Sequence, residues 1–473
     1  MYVEAAPTPV ADPALVILNE ELANELGLDA AALATPDGIA VLAGNAIAEG
    51  SQPIAQAYAG HQFGSFNPGL GDGRAHLLAE VIDVHGNRRD IGLKGSGRTR
   101  FSRGGDGRAG LGPMLREYVM SEAMAALGIP TTRSLAVVTT GEMVHRQPPA
   151  KGAVLTRVAA SHLRVGTFEL FRSAGDADLL GRLVEYVRAR HYPELPENDP
   201  LALLDAIAGR QAELIADWMS VGFIHGVMNT DNMALSGETI DYGPCAFMEA
   251  FDPNAVFSSI DHQGRYRYAN QAPIARWNLT RLAEMLLMLT PDPSERDVES
   301  YQAVLAGFEE RYERASLRRF RAKLGLDDAD ASDALDAALL DRLLTFMQTE
   351  RLDFTMTFRH LATSLRGDVD PMLDIVLDRE TYRSWHADWL ERLGSERTHD
   401  DIAASMDATN PLYLARNHLV EAALDAANGG DLDPFRALLT AISDPFTKRP
   451  GLEHFAEPAP RSFTDSYVTY CGT

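Results

Sequence analysis

The sequence predicts a two-lobed α+β protein with an additional helical C-terminal region. Two patterns predict it. Short apolar runs separated by turn signals, with one long amphipathic helix among them, fill residues 76 to about 160, and helical periodicity dominates the remainder. No repeat of fixed period occurs, which sets solenoids and propellers aside. With 473 residues and 45% hydrophobic content, the chain has enough apolar material for roughly two to four domain-sized cores.

Residues 1–57 read as an N-terminal extension of Pro-rich coil, with short amphipathic helices expected at Asn19–Leu26 and Ile54–Tyr58. From Tyr58 to Gly73 the chain (YAGHQFGSFNPGLGDG) is rich in Gly, Asn and Pro and reads as loop. A hairpin follows, with strands His76–Val84 and Asp90–Lys94 around the turn His85-Gly86-Asn87. A helix begins near Pro113, a residue favoured at the first helical position, and ends before Gly128. Leu115, Val119, Ala123 and Leu127 recur every four residues and give it one buried stripe. Ser134–Thr140 and Ala153–Val158 read as strands, and the Pro-containing stretch Gln147–Gly152 between them as a hinge between lobes. Beyond Ser161, helices are expected at Asp176–Arg190, Leu201–Val221 and Ile274–Leu289, with short strands around Met233–Asp241. Helices continue from Val298 to about Thr440, and the acidic stretch Asp327–Asp333 reads as a solvated helix entry.

Composition excludes several function classes. A net charge of −24 argues against a general nucleic-acid binder, which needs a concentrated basic face. The two cysteines, Cys245 and Cys471, form neither a disulfide framework nor a cysteine-rich zinc module, and no H-E-x-x-H occurs. The N-terminus lacks the basic start and apolar run of a secretory signal, and no apolar stretch approaches the ~20 residues that span a bilayer. A soluble cytoplasmic protein with no membrane or nucleic-acid partner is expected.

Four features point to chemistry. Gly69, Gly71 and Gly73 precede the hairpin, and closely spaced glycines let backbone N–H groups approach phosphate oxygens, although alone they read equally well as a turn. Lys94 ends the strand DIGLK, where kinase-like folds hold nucleotide phosphates, and Glu117 in the next helix is spaced to orient it, although alone the two read more simply as a surface lysine and a glutamate favoured near a helix N-terminus. The run HGVMNTDN (His225–Asn232) followed by IDYG (Ile240–Gly243) has the order of a kinase catalytic loop and metal-binding D-x-G. Asn232 and Asp241 fall on the metal ligands, but Val227 occupies the usual catalytic aspartate position. Either the site is silent or its chemistry is rebuilt around Asp231. Finally, Arg98, Arg100, Arg103 and Arg108, with Arg157 and Arg164, form a basic group against an acidic background. The order of these elements predicts a kinase-like N-lobe at 58–150, a C-lobe at 151–290 and a helical region at 291–473.

These segments resemble the SelO (YdiU) family of protein adenylyltransferases, a group with a pseudokinase fold. The matching stretches are YAGHQFGSFNPGLGDGRA, IGLKGSGRTRFSRGGDGRAGLGPMLREY, HGVMNTDNM with TIDYGP, DHQGRYRYANQAP and NPLYLARNH. The resemblance implies ATP bound in an orientation reversed from that of kinases, and transfer of AMP to Ser, Thr or Tyr hydroxyls of proteins with release of pyrophosphate. It implies that Gly71, Gly73 and Arg74 form the Gly-rich loop, that Lys94 pairs with Glu117, and that Asp106, Gly107, Arg157 and Arg164 complete the ATP pocket. Asn232 and Asp241 would hold Mg²⁺ or Mn²⁺, and Asp231 would act as the base. Family members carry a C-terminal Cys and a second Cys proposed as a redox switch; here Cys471 is present, but the second position reads Phe257. Cys245 is then either a partner for Cys471 or a buried unreactive thiol. The alternatives to AMP transfer are a phosphotransferase and a non-catalytic ATP-binding scaffold.

Overall fold

A computed structural model describes residues 1–326 and 333–470, without the side chains of Ser173 and Ala174. The acidic stretch Asp327–Asp333 therefore lies outside the described residues except for Asp333, which opens the helix Asp333–Glu350.

The first third of the chain builds one antiparallel sheet. Its strands are β1 (Tyr2–Glu4), β2 (Ala14–Leu18), β3 (Ile54–Gln62), β4 (Ser65–Gly71), β5 (Ala75–Ile82), β6 (Arg88–Lys94), β7 (Ala109–Gly110), β8 (Arg133–Val144) and β9 (Ala150–Ala159). The order is β1-β3-β5-β6-β9-β8-β2, with β4 on β3 and β7 on β9. The expected hairpin is β5–β6, in the register Ala75↔Lys94 to Ile82↔Arg88. Strands of the N-terminal extension sit at both ends of this order.

Three expectations are corrected here. Ile54–Tyr58 is strand rather than helix, and much of the loop expected over Tyr58–Gly73 is the hairpin β3–β4. Its turn residues, Phe63 and Gly64, both have positive φ (51° and 82°), as a two-residue hairpin turn of matching twist requires. Pairing with β1 and β4 overrides the helix preference of the Ala- and Gln-containing run. The expected hinge Gln147–Gly152 is no hinge: it contains the turn joining β8 to β9, which pair through Val144↔Ala150 and Met143↔Lys151.

The helix Leu111–Ala126 starts two residues before Pro113 and buries Leu115, Val119 and Ala123, three of the four stripe residues expected. Helices Ala177–His191, Pro200–Ser220 and Gln271–Leu287 fall close to their expected positions. The strands expected around Met233–Asp241 are absent. That segment makes only the isolated bridges Arg164↔Ala234 and Thr131↔Thr239, and is bracketed by the two-residue strands Phe223–Ile224 and Ala246–Phe247. One hydrophobic cluster runs from the helix Leu111–Ala126 through Met228 and Tyr242 to the C-terminal helices, ending at Ala456. No described helix is long and apolar enough to cross a membrane.

Candidate active site

Three connections line a cavity of about 620 Å³, within the usual size range of small-molecule sites. The first joins β4 to β5. Gly71 has φ +148°, and a Cβ there would lie 2.4 Å from the Phe101 ring. A Cβ on Gly73 would lie 2.8 Å from the Phe101 carbonyl oxygen. The second connection, after β6, is tied to the first: Thr99 Oγ1 donates to the Asp72 carbonyl at 2.6 Å, and Gly95 N–H to the Arg74 carbonyl at 2.7 Å. Gly107 (φ +70°) lies against the Gly97 backbone. These glycines therefore serve close packing of loop on loop. Gly69 is exposed and outside the cavity wall, whereas Gly71, Gly73, Arg74, Asp106 and Gly107 are in it.

At one side of the cavity, charged groups from five segments meet. Lys94, the last residue of β6, donates to Glu117 Oε2 at 2.6 Å and to Asp241 Oδ1 at 2.9 Å. Arg157, placed by β9 opposite Gly92, donates to Glu117 through Nε at 2.8 Å and to Asp241 Oδ1 at 2.5 Å. Arg164 reaches Asp241 Oδ2 at 3.4 Å and stacks over the Tyr58 ring at 4.6 Å. Glu117 lies behind the cavity rather than in its wall. Burial alone would raise the carboxyls of Asp241 and Glu117, but the neighbouring cations outweigh it and hold both below the usual range, Asp241 far below. Asp241 is itself left-handed (φ +65°), an uncommon conformation for a non-glycine residue.

The third connection carries Val227, Asn229, Asp231 and Asn232 into the same wall. Burial pushes the Asp231 carboxyl up to about 6, against the lowering influence of Arg164. Gln62 donates to Asp231 Oδ2 at 3.1 Å, while the buried Oδ1 has no partner. Asn232 Nδ2 donates to the Val227 carbonyl at 2.8 Å, which leaves its amide oxygen as the available donor atom for a cation. Among the described residues no group of three or more His, Cys, Asp or Glu could hold a metal ion. Asn232 and Asp241 both stand in the cavity wall and carry oxygen atoms, the donor type a hard divalent cation takes, although both Asp241 oxygens are engaged by Lys94, Arg157 and Arg164.

Of the expected arginine cluster, Arg103 and Arg108 line the cavity; Arg98 and Arg100 do not. The cavity also contains residues that the motif reading missed. Arg146 pairs with both oxygens of Asp106 at 2.8 and 3.1 Å, and with burial opposing it, this hydrogen bonding holds that carboxyl down at about 2. Asn229 Oδ1 accepts from Tyr266 O–H at 2.6 Å and Phe63 N–H at 3.1 Å. Gln62 and Tyr58 lie in the YAGHQFG segment, which was their only signal; nothing in the sequence marks Arg146. Cys245 is a buried free thiol pushed up to about 12 by burial, and Cys471 lies outside the described residues.

The chain matches the family described as Protein adenylyltransferase SelO over residues 1–443. It is 54% identical to the protein nucleotidyltransferase YdiU of Mycobacterium sp. (strain KMS) over 464 residues, 98% of this chain and 94% of that relative. It is 55% identical to the protein of the same name from Cereibacter sphaeroides over 475 residues, 100% of this chain and 97% of the relative. Against the Chromobacterium violaceum protein of that name, identity is 54% over 471 residues, 98% of each.

Proposed function

This chain belongs to the SelO family of protein adenylyltransferases, and from that membership we propose that it transfers AMP from ATP to Ser, Thr or Tyr hydroxyls of proteins, releasing pyrophosphate. Family and relatives make it an enzyme of the nucleotidyltransferase class. The observation that carries the reading is the convergence of Lys94, Arg157 and Arg164 on Asp241 beside a loop with valine at 227. Three cations at one side of the cavity exceed the single lysine of a kinase phosphate site. They suit a polyphosphate held deep, with its α-phosphorus toward Asp231.

In this reading the acceptor oxygen attacks the α-phosphorus, the bond from that phosphorus to the bridging oxygen breaks, and pyrophosphate leaves with the electron pair. Asp231 takes the hydroxyl proton. Mg²⁺ or Mn²⁺ at Asn232 and Asp241 would supply charge neutralisation. Arg74 and the backbone around Gly71, Gly73 and Gly107 would orient the nucleotide, while Asp106, fixed by Arg146, would meet its polar edge. Glu117 would keep Lys94 and Arg157 in place. We read the sheet with the helix Leu111–Ala126 as the N-lobe of a kinase-like fold and the helices after it as the C-lobe and helical extension. On this reading the N-lobe would take in residues 1–159, because the expected boundaries at 57/58 and 150/151 would cut β3 and β9 of that sheet, with the C-lobe running to 290 and the helical region at 291–473.

The test uses protein and cell lysate incubated with ATP labelled at the α- or the γ-phosphate. Label arriving from the α position alone supports AMP transfer, and from γ alone supports a phosphotransferase. No transfer with nucleotide binding intact supports a scaffold. Asp241→Ala is expected to abolish transfer; undiminished transfer by that variant counts against the site assignment.

A further inference from the structure

We propose that Glu169 is a positioning residue, which acts through Thr230 and His61 to fix the loop that carries Asp231. Glu169 ends the short helix Val165–Glu169 and is fully buried, outside the cavity wall. One carboxylate oxygen meets His61 Nδ1 and the other the hydroxyl of Thr230. The hydroxyl works in both directions: it accepts the His61 backbone N–H at 2.7 Å and donates to the second Glu169 oxygen. A single carboxylate thereby joins three elements: its own helix, β3 through His61, and the turn Thr230–Asn232.

The surroundings leave this clamp little slack. The His61 ring lies 5.1 Å from Phe66 and 5.2 Å, edge-on, from Trp277. A Cβ on Gly60 would approach Thr230 Oγ1 to 3.0 Å and Asp231 Oδ1 to 3.3 Å, and one on Gly166 would lie 3.3 Å from Asp231 Cα. Beside the clamp, Gln62 and Arg164 bond Asp231 directly, at its carboxylate and its backbone carbonyl. Burying a carboxylate is expensive unless its lone pairs are satisfied. An apolar side chain would fill the same space, so what the carboxylate adds is fixed direction: it pins the residue immediately before Asp231.

The inference rests on the reading of Asp231 as the group that takes the acceptor proton. Thr230→Val keeps the shape and removes the hydroxyl, whereas Thr230→Ser keeps the hydroxyl. With ATP and a protein acceptor, Thr230→Val is expected to lower kcat on the order of 10²-fold, the effect of a roughly 1 Å misplacement, with the Kd for ATP little changed. Thr230→Ser is expected to restore kcat, and Glu169→Gln to fall between the two. A Thr230→Val protein that melts earlier but keeps its kcat would reduce the clamp to a structural pair and overturn the proposal. Amide hydrogen exchange at residues 229–233 gives a second readout, which does not need turnover. Faster exchange there in Thr230→Val supports the clamp, and unchanged exchange overturns it, even if wild-type protein transfers no α-label and the functional reading itself fails.

Discussion

Asp231 and Asp241 are the same residue type ten positions apart, and their surroundings drive them in opposite directions. Both lose solvation, which disfavours the charged form. Around Asp241 three cations more than offset that loss, whereas Asp231 has Arg164 nearby, a single hydrogen bond from Gln62 and one oxygen without a partner. Asp241 therefore stays ionised at any ordinary pH, and Asp231 titrates near about 6. If Asp231 accepts the proton, AMP transfer rises with pH as the carboxylate forms and levels off above that value. The Gln62 hydrogen bond favours the ionised form, so Gln62→Leu should move this acidic limb to higher pH. A rate profile that is flat from about pH 5 to 8, or a limb unmoved by Gln62→Leu, counts against Asp231 as the base.

At the scale of elements, the site depends on two loops packed face to face, and Gly71 is where an added Cβ would meet the other loop most closely. Gly71→Ala places a methyl group against the Phe101 ring at a backbone conformation that favours glycine. Since Phe101 also lines the cavity, the variant should bind ATP at least severalfold more weakly, measured by calorimetry, while far-UV circular dichroism stays that of the parent. An unchanged Kd would mean that the loop gives way without consequence. The same two loops mark the boundary of what could be read from sequence. The hairpin β5–β6 and the helix after Gly110 were readable because their signals, a turn between apolar runs and a stripe every four residues, are local. The hairpin β3–β4 was hidden, because an Ala- and Gln-containing strand closed by Phe63-Gly64 lacks the usual turn dipeptides. Lys94, Asn232 and Asp241 stand in motifs and could be named in advance. Arg146 and Glu169 could not, since their partners lie 40 residues away at Asp106 and 61 and 108 residues away at Thr230 and His61. Pairings at such separations are created by the fold and leave no period in the sequence.

Across the whole molecule, the helices beyond residue 290 share one hydrophobic cluster with the segments that carry the site. A buried charged junction reinforces that continuity. Arg416, only 1% exposed, bonds both oxygens of Asp353 at 2.9 and 3.1 Å and also meets Glu249. Asp353 is the N-cap of the helix Phe354–Leu365, and Glu249 follows the strand Ala246–Phe247, five residues after Tyr242–Pro244. Glu249 Oε2 also accepts the Ala459 N–H at 3.1 Å, so the junction holds the chain near its C-terminal end as well. Removing one partner of such a group strands the other charges out of water, at a cost of roughly 3–5 kcal/mol. Arg416→Met fills similar volume without charge, so its expected effect is that loss of stability with little loss of packing. Because core and junction both tie the helical region to the segments that carry Asp231 and Asp241, unfolding should be a single transition, with loss of helix and loss of ATP binding at one midpoint. In Arg416→Met both should move together to lower temperature. Two separated transitions, one in far-UV circular dichroism and another in ATP binding, would show instead that the helical region melts independently of the site.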